Sequence, residues 1–315
     1  MPTLVTGGTG FLGCYVLESL LKTREEVVCL SNTTLSRPLR VQGELEMIEA
    51  DIGDMNKMVG VMEERSVDRI IHLAGLVSSL AQRSPHLATM VNCGGIANVL
   101  EAARLAGTKR VVFSSSVQVY GPLASSDKGI DEEFPCDPTT VYGATKLFGE
   151  KLGMSYDQMY GLQFVSVRMS ACYGYCNIVS KKELSGNRVE QVQKIVEYPL
   201  AGRPVVIRGT GLDLMDYVYV EDAAETIAGA ALRDGLTHHA YLVSSGELHT
   251  MGDFARVVRK EVPGASISFE GASDRALFPQ LGPFDTSRAR SELGHHPRPF
   301  EENVERYIAV ARAAT

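Results

Sequence analysis

A glycine-rich turn between a strand and a helix is the feature that most restricts how this chain can fold. Residues 2–6 have the short apolar pattern of a buried strand, Gly7, Gly10 and Gly13 follow, and a helical apolar period runs over residues 15–21. Glycines at this spacing let the backbone approach a pyrophosphate, which then binds the unpaired N–H groups of the helix N-terminus. Strand, turn and helix in this order predict dinucleotide binding rather than a merely structural turn.

Strand patterns alternate with helix patterns through the first half of the chain. Strands are predicted at residues 27–30, 46–50, 68–73, 109–113 and 163–168, and helices at residues 54–64, 87–105 and 142–160. Such alternation is typical of a parallel sheet with helices on both faces. We therefore predict an α/β fold, with a Rossmann-type doubly wound parallel sheet and a smaller C-terminal α/β substrate lobe.

The predicted domain boundary lies where the simple alternation ends. Residues 1–170 are expected to form the dinucleotide-binding Rossmann domain. Residues 171–315 are expected to form mainly the substrate-binding lobe, with some elements returning to the Rossmann domain. Within this part, residues 175–188 have the polar pattern of a loop that could cover the substrate.

Composition and charge narrow the class of protein. The 315 residues are 44% hydrophobic, and the formal charge is −7 with no long basic run, so a nucleic-acid partner is not expected. No apolar run reaches the roughly 18 residues of a membrane span. The N-terminus lacks the charged start and the apolar core of a signal peptide. We predict a cytoplasmic protein that acts on a small molecule, without a membrane partner.

The six cysteines show neither a disulfide framework nor a metal-binding pattern. They are scattered through apolar stretches without a Cys-x-x-Cys motif, which predicts reduced thiols in the cytoplasm. Cys172 and Cys176 are four apart but have no neighbouring pair of histidines. They are expected to pack in the core or in a loop, and no metal site is predicted.

The end of the second strand is where a dinucleotide's adenosine ribose should lie. NAD sites usually place an acidic residue there, whereas this chain has Ser31 and Asn32, with Arg37 and Arg40 close behind. Without a carboxylate at this position a 2′-phosphate is not repelled, and an arginine could pair with it. The pattern favours NADP over NAD. The alternative is that both arginines lie on a solvated loop.

Tyr142 and Lys146 form a candidate proton-transfer pair. Residues four apart lie on the same face of a helix, so the ammonium would favour the phenolate and lower the tyrosine pKa below its reference of about 10. A tyrosine with a lowered pKa can take a proton from an alcohol or return one to a carbonyl oxygen. Taken alone the pair is a weak signal, because such pairs are also common on helix surfaces.

Several separate stretches match the motifs of one family, in that family's order and spacing. They are TGGTGFLG from Thr6, DI from Asp51, HLAG from His72, Asn92, NVLEAA from Asn98, FSSSVQVYG from Phe113, YGATK from Tyr142, Arg168 with Tyr173-Gly174, DYVYVED from Asp216, DTSRA from Asp285 and ELG from Glu292. On these motifs the chain resembles the extended short-chain dehydrogenases/reductases, also called the NAD-dependent epimerase/dehydratase family.

The resemblance implies catalytic roles for four residues. Tyr142 would be the general acid/base, and Lys146 would lower its pKa and hold the nicotinamide ribose. Ser116 would hydrogen-bond the reacting oxygen of the substrate. Asn92 matches the family's helix asparagine, which implies a part in supporting the site or in a water relay, and helix packing is the alternative.

A second set of residues is predicted to bind the cofactor. The resemblance implies that Tyr142 and Lys146 also contact it, and that the segment around Tyr173 follows the nicotinamide. The other members of the set are grouped by the part of the cofactor that each is predicted to contact. They are Gly7, Gly10, Phe11, Leu12 and Gly13 at the pyrophosphate, Ser31, Asn32 and Arg37 near the ribose, Asp51 and Ile52 at the adenine, and Leu73, Ala74 and Gly75 along the adenosine side.

The substrate side departs from the family pattern. Met215 stands where sugar-nucleotide members typically have an arginine that pairs with the substrate's diphosphate, and a thioether cannot supply that contact. Ala171 and Tyr175 replace an asparagine and a proline that are usual in those members. These departures favour an NAD(P)-dependent oxidoreductase of the extended type, interconverting a secondary alcohol and a ketone on a small, non-nucleotide substrate.

Two alternatives stay open. The first is a nucleotide-sugar epimerase or dehydratase, in which the hydride is removed and returned and NAD stays tightly bound. The second is a non-catalytic cofactor-binding protein, although such proteins commonly lose the tyrosine or the lysine that this chain keeps. The resemblance also implies a homodimer through the two long helices that carry Asn92 and Tyr142.

Overall fold

The computed structural model describes residues 2–122, 129–176, 188–272 and 282–314. Within these ranges the strands are β1 (Thr3–Thr6), β2 (Val27–Ser31), β3 (Leu45–Glu49), β4 (Arg69–His72), β5 (Arg110–Ser116), β6 (Gln163–Met169), β7 (Ala171–Tyr173), β8 (Val205–Arg208), β9 (Met215–Tyr219), β10 (Ala240–Val243), β11 (Leu248–His249) and β12 (Ile267–Glu270).

The helices of the same ranges alternate with the strands along most of the chain. They are α1 (Phe11–Lys22), α2 (Met55–Glu64), α3 (Ser78–Arg83), α4 (Pro85–Ala88), α5 (Gly95–Leu105), α6 (Val141–Tyr160), α7 (Arg188–Leu200), α8 (Val220–Leu232), α9 (Met251–Glu261), α10 (Ser287–Leu293) and α11 (Phe300–Ala314). A π-helical turn covers Thr89–Gly94, and a 3₁₀ turn covers Val117–Tyr120.

Seven parallel strands form the central sheet, in the order β10-β6-β5-β4-β1-β2-β3. The chain moves outward from β1 to β3 and then returns to β4 on the other side of β1. At such a switch point the carboxyl ends of the parallel strands leave a crevice that binds ligands. The prediction of a Rossmann-type doubly wound sheet is confirmed.

The alternation of side chains along the strands explains why helices cover both faces. Leu4 and Ile70 pack on the same side as apolar residues of α2 and α5. Their chain neighbours Val5 and Ile71 pack on the opposite side, with residues of α1 and α8. All four side chains are fully buried. Strands buried on both faces have nearly continuous apolar sequences, as these do.

Two smaller sheets accompany the central one. The first has the order β11-β9-β7, and the second pairs β12 with β8. One residue, Ser170, separates β6 from β7, so the three-stranded sheet lies at the carboxyl edge of the central sheet. Beyond these small sheets, β10 returns to the central sheet and pairs with β6.

The helix predicted over residues 87–105 is interrupted. α4 ends at Ala88, the π-helical turn follows, and α5 begins at Gly95. Asn92 lies inside the π-helical turn. Such turns are often found at functional sites, and this one brings Asn92 to the side of α6, as described below.

Two further sequence predictions concern the loop before α7 and membrane spans. Residues 177–187, which make up most of the predicted loop over residues 175–188, lie outside the described residues. In the part of the chain that the structure does describe, no helix has both the length and the apolar composition to cross a bilayer.

Candidate active site

A cavity of about 1170 Å³ opens at the carboxyl edge of the central sheet. Pockets for small molecules typically measure about 300–1,000 Å³, so this one is larger than the usual site for a single small molecule. Apart from Asn92 and Arg37, the predicted site residues all line it: Gly7, Gly10, Phe11, Leu12, Gly13, Ser31, Asn32, Asp51, Ile52, Leu73, Ala74, Gly75, Ser116, Tyr142 and Lys146.

The glycine turn forms one wall of the cavity and is shaped by close backbone contacts. Gly7 has φ +71°, and a Cβ on it would lie 2.6 Å from the backbone nitrogen of Ala74. A Cβ on Gly13 would lie 2.3 Å from the Gly7 carbonyl oxygen. α1 begins directly after Gly10, which offers no side-chain cap to the helix. The first N–H groups of α1 are therefore suited to an anion such as a pyrophosphate.

A cluster of hydroxyl groups lies at the carboxyl end of β2. Thr9 Oγ1 lies 2.7 Å from Ser31 Oγ and 2.8 Å from Thr33 Oγ1. Beside this cluster, Asn32 Nδ2 donates to Asp51 Oδ2 at 2.7 Å. Sequence reasoning missed Thr9 and Thr33, although each is a hydroxyl residue next to a predicted contact.

Arg37 does not reach the cavity, which corrects its predicted role beside the ribose. Its Nη1 donates to Glu18 Oε1 at 2.7 Å, and its guanidinium lies 4.0 Å from the centre of the Tyr15 ring. Arg40 binds the same carboxylate and also Glu221. Burial alone would raise the pKa of Glu18, but the hydrogen bonds from the two arginines lower it to about 2. The alternative of a solvated loop is also wrong for Arg37, which is buried.

Ser116, Tyr142 and Lys146 meet at the other end of the cavity. β5 ends at Ser116, and α6 begins after Thr140, whose hydroxyl accepts a hydrogen bond from Gly143 N at 3.0 Å. This cap places Tyr142 in the first turn of α6, where it hydrogen-bonds Ser116. Lys146 Nζ lies 5.5 Å from the centre of the Tyr142 ring. The three predicted catalytic side chains are therefore neighbours.

The pKa values of this group differ from the sequence prediction. Burial raises the pKa of Tyr142 to about 12, although the hydrogen bond with Ser116 acts to lower it. Burial also lowers the pKa of Lys146 to about 8, opposed by the nearby Glu150. The expected fall of the tyrosine pKa below 10 is not found, because the effect of burial outweighs that of the hydrogen bond with Ser116. Lys146 Nζ donates to the Ser114 carbonyl at 2.7 Å.

Glu150 supports this end of the cavity and was missed in the sequence. Its carboxylate accepts from Ser115 Oγ at 2.5 Å and from Arg168 Nη2 at 2.7 Å, all in the buried interior. It follows Lys146 by four residues on the same helical face. That spacing, together with the conspicuous Arg168, was the available signal. These two contacts of Glu150 link α6 to β5 and β6 beside the predicted catalytic residues.

Asn92 lies outside the cavity and connects two of its walls. Its Oδ1 accepts from Leu76 N at 2.7 Å, and its Nδ2 donates to Leu76 O at 3.1 Å and to Thr145 Oγ1 at 3.0 Å. Thr145 in turn donates to the Tyr142 carbonyl at 2.9 Å. The side chain of Asn92 thus holds the loop after β4 against the helix of the tyrosine.

The predicted substrate side is lined by residues of β7 and β9. Ala171 and Met215 both line the cavity, whereas Tyr175 does not, and its carbonyl accepts from Tyr15 at 2.9 Å. Of the segment around Tyr173, which is expected to follow the nicotinamide, Ser170, Ala171 and Cys172 line the cavity, and Tyr173 itself is buried in an aromatic cluster. Among the lining residues that the structure describes, Lys146 is the only cation.

Asp216 organises the substrate side and was noted in the sequence only as part of a motif. Its two oxygens accept from Ser244 Oγ at 2.9 Å, from Ser245 Oγ at 2.9 Å and from Phe284 N at 3.0 Å. Burial raises its pKa to about 6 against the effect of these donors. Asp216 and Phe284 both line the cavity. No local sequence pattern predicts hydrogen bonds between Asp216 and residues this far along the chain.

Known proteins resemble this chain over its whole length. Residues 3–244 match the model of the NAD dependent epimerase/dehydratase family. A UDP-glucose 4-epimerase of Mycolicibacterium smegmatis is 30% identical over 95% of this chain and 94% of its own. One from Lacticaseibacillus casei is 28% identical over 99% of this chain and 96% of its own. The solved structure of a Thermus thermophilus UDP-glucose 4-epimerase in complex with NAD has a TM-score of 0.85 and 26% identity, and it covers 100% of both chains.

These findings correct two of the predictions. The main prediction of an oxidoreductase for a small, non-nucleotide substrate is wrong, because relatives that match the chain from end to end are UDP-glucose 4-epimerases. The preference for NADP has no support either, since the related solved structure holds NAD and Arg37 is bound to Glu18. The predicted type, a dehydrogenase or reductase, is not confirmed.

The enzyme class itself follows from three agreeing observations. The central sheet has the doubly wound order, the cavity at its carboxyl edge joins a glycine turn to a tyrosine, lysine and serine, and the family model covers most of the chain. The chain belongs to the NAD-dependent epimerase/dehydratase family, the extended short-chain dehydrogenases/reductases.

Proposed function

We propose that this protein is an NAD-dependent UDP-sugar 4-epimerase that interconverts UDP-glucose and its C4 epimer. The observation that carries the proposal is a single cavity in which Tyr142, Ser116 and Lys146 lie at one end and the glycine turn at the other. The end-to-end similarity to UDP-glucose 4-epimerases supports the choice of substrate.

The residues present fit the cofactor. The N-terminus of α1 lacks a side-chain cap, and the turn that leads to it leaves no room for a Cβ on Gly7. Gly10, Phe11, Leu12 and Gly13 would hold the pyrophosphate of NAD there. When bound, NAD supplies a reversible hydride acceptor, which inversion at a carbon bearing a hydroxyl group requires.

Tyr142 would move the proton at the sugar's O4. As a base it takes the proton while the alcohol carbon is oxidised, and as an acid it returns the proton when the ketone is reduced. Because burial raises its pKa to about 12, the phenolate needs a nearby positive charge. Lys146 and the oxidised nicotinamide would provide it. Ser116, already hydrogen-bonded to Tyr142, would fix the orientation of the same oxygen.

Lys146 and Asn92 have different parts in this proposal. Lys146 would hold the nicotinamide ribose in addition to its electrostatic effect on Tyr142. The amide oxygen of Asn92 accepts one hydrogen bond from the protein, and its amide nitrogen donates two. It therefore acts as a positioning residue that keeps α6 in register with the loop after β4, and it has no direct contact with the reacting atoms.

The two parts of the chain would divide the work as the sequence suggests. Residues 1–170 would bind mainly the cofactor, and residues 171–315 mainly the small-molecule substrate. All six cysteines are free thiols, which supports a reducing, cytoplasmic setting. Limited proteolysis with and without UDP-glucose would test the division, because substrate should protect the C-terminal part more than the N-terminal part.

We also propose a homodimer. Apolar side chains are exposed along the helices that carry Asn92 and Tyr142, among them Leu87, Met90, Phe148 and Met159. Exposed apolar patches of this kind commonly mark protein interfaces. In sedimentation velocity the double substitution Met90→Glu and Phe148→Glu should give a monomer. Met47→Glu, at an exposed apolar residue on β3, is the matched control and should leave the dimer intact.

Bound nucleotide and thermal stability provide the direct test of the proposed function. The purified protein should release about one NAD per chain on denaturation, and UDP-glucose should raise its Tm by an amount that grows with the logarithm of the UDP-glucose concentration. UMP and glucose serve as controls for the two halves of the substrate. Protein without nucleotide, or a Tm that no UDP-sugar changes, would contradict the proposal.

A further inference from the structure

The adenosine end of the cavity raises a question of selectivity, because it lacks the acidic residue that usually follows β2 in NAD sites. Ser31 stands at that position, and its hydroxyl joins those of Thr9 and Thr33 in a neutral cluster. All three residues line the cavity. A hydroxyl cluster alone does not distinguish a free 2′-hydroxyl from a 2′-phosphate, so the discrimination must come from elsewhere.

Asp51 brings a carboxylate to the described lining of the cavity at this end. Asp51 follows β3, and its Oδ2 accepts from Asn32 Nδ2 at 2.7 Å while its Oδ1 accepts from Gly53 N at 2.7 Å. A carboxylate only accepts hydrogen bonds, so the amide nitrogen of Asn32 must face it. The amide oxygen of Asn32 is thereby turned away from Asp51. It offers an acceptor to a ribose hydroxyl.

No compensating cation reaches this end from the described lining of the cavity. Lys146 lies at the opposite end, on the Ser114 carbonyl. Arg37 and Arg40, the arginines that follow β2, are bound to the carboxylates of Glu18 and Glu221. A 2′-phosphate would therefore meet a carboxylate and neutral hydroxyls, whereas a free 2′-hydroxyl would meet an oriented acceptor.

We infer that Asp51 and Asn32 together select NAD over NADP, with the amide of Asn32 receiving the ribose 2′-hydroxyl and the charge of Asp51 opposing a 2′-phosphate. The acidic residue that is absent from the end of β2 is replaced by one from the end of β3, which acts through an intervening amide. This inference rests on the proposed use of NAD, but it concerns the affinity for cofactor and needs no sugar substrate.

Calorimetric titration of nucleotide-free protein with NAD and with NADP tests the inference. The wild-type protein should bind NADP at least about tenfold more weakly than NAD, as expected for a dianion near a carboxylate. Asp51→Asn should improve NADP binding and narrow the ratio of the two dissociation constants about tenfold. Asp54→Asn is the matched control, because it makes the same chemical change three residues away and outside the cavity lining. It should leave the ratio of the two dissociation constants unchanged.

A second variant separates the amide from the charge. Asn32→Ala, at an exposed position, should weaken NAD binding about threefold to tenfold through the lost hydrogen bond and leave NADP binding nearly unchanged. Added salt should narrow the ratio of the NADP and NAD dissociation constants for the wild-type protein but not for Asp51→Asn. The reason is that salt screens the repulsion between the Asp51 carboxylate and the 2′-phosphate. Circular dichroism melts verify that each variant is folded.

The outcomes are decisive in both directions. Equal affinity of the wild-type protein for the two cofactors, or an unchanged ratio in Asp51→Asn, would overturn the inference. Unaltered NAD binding in Asn32→Ala would also overturn it. A failure of the proposed epimerase activity is a separate result, since these dissociation constants are measured without UDP-sugar.

Discussion

The glycine turn at the cofactor end of the cavity is built by residues close together in the sequence, whereas at the substrate end side chains hold together distant parts of the chain. Gly7, Gly10 and the first turn of α1 lie within a few residues of one another. Asp216, by contrast, binds Ser244 and Phe284, which are 28 and 68 residues away. The glycine turn can therefore be preserved by a short motif, while the substrate end depends on how the whole chain is packed.

The largest expected effect is at Tyr142, which meets Ser116 and Lys146 at the end of the cavity away from the glycine turn. Tyr142→Phe removes the proton-transfer group and should lower the epimerisation rate about 10³-fold. NAD binding should be nearly unchanged, because the ring remains. The rate is measured by NMR on UDP-glucose and the cofactor affinity by calorimetry. Tyr160→Phe, at an exposed tyrosine that ends the same helix, is the control and should retain full activity. An active Tyr142→Phe enzyme would remove the residue from the chemistry.

The second prediction compares the stabilities of the two ends, because each contains one buried histidine. His72 donates to or accepts from Thr6 at 2.7 Å beside the glycine turn, and His295 bonds Thr226 at 2.8 Å and the Ser244 carbonyl at 2.7 Å near Asp216. Burial, aided by Lys146, lowers the pKa of His72 to about 3. Burial lowers that of His295 to about 4, although the bond to Ser244 opposes the change.

Both histidines should make the protein less stable in acid. Below about pH 6.5 the unfolded chain binds protons that the folded protein does not, so the free energy of unfolding falls as the pH falls. The loss is about 2 kcal/mol for each histidine at pH 5. Asp216, with a folded pKa of about 6, acts in the opposite direction and offsets roughly 1 kcal/mol of it.

Urea denaturation at pH 7 and pH 5 measures this dependence. His72→Asn and His295→Asn should each reduce the loss of stability between the two pH values, and His86→Asn, at an exposed histidine, should not. If the two ends unfold as one cooperative unit, the two buried substitutions reduce the loss by similar amounts. A reduction confined to one of them would indicate that the ends unfold separately.

The smallest expected effect concerns Met215. Lys146 is the only cation in the described lining of the cavity, so a diphosphate at the substrate end meets little positive charge there. Met215→Arg should therefore tighten UDP binding about fivefold and leave NAD binding unchanged. Met215→Leu tests for a mere change of packing and should change neither. Weaker UDP binding by a folded Met215→Arg protein would show that the diphosphate lies elsewhere.

The contrast between the two ends also explains which sequence predictions succeeded. Strand, glycine turn and helix interact within a few residues, so the doubly wound sheet and the position of the turn could be predicted from local pattern. Arg37 was misassigned because its partner, Glu18, lies 19 residues earlier on α1, on a face that only the folded protein brings near. The interruption of the helix around Asn92 was likewise not predicted, because no proline at that point marks a break in the helix.

The substrate class was mispredicted for a related physical reason. Met215, Ala171 and Tyr175 were read as the loss of a nucleotide-binding surface. Affinity for a UDP-sugar is distributed over many contacts, so a single absent arginine does not define the class of substrate. Residues such as Asp216 and Phe284, which shape the cavity through tertiary contacts, were not visible in the sequence as a unit.

Retention of an isotope label tests the proposed function most directly. UDP-glucose that carries deuterium at C4 is incubated with the purified protein without added cofactor, and the products are followed by NMR. We predict that the C4 epimer appears with the deuterium still at C4 and that no reduced nicotinamide accumulates. Steady accumulation of reduced nicotinamide, loss of the label to solvent, or the absence of the epimer would contradict the proposal.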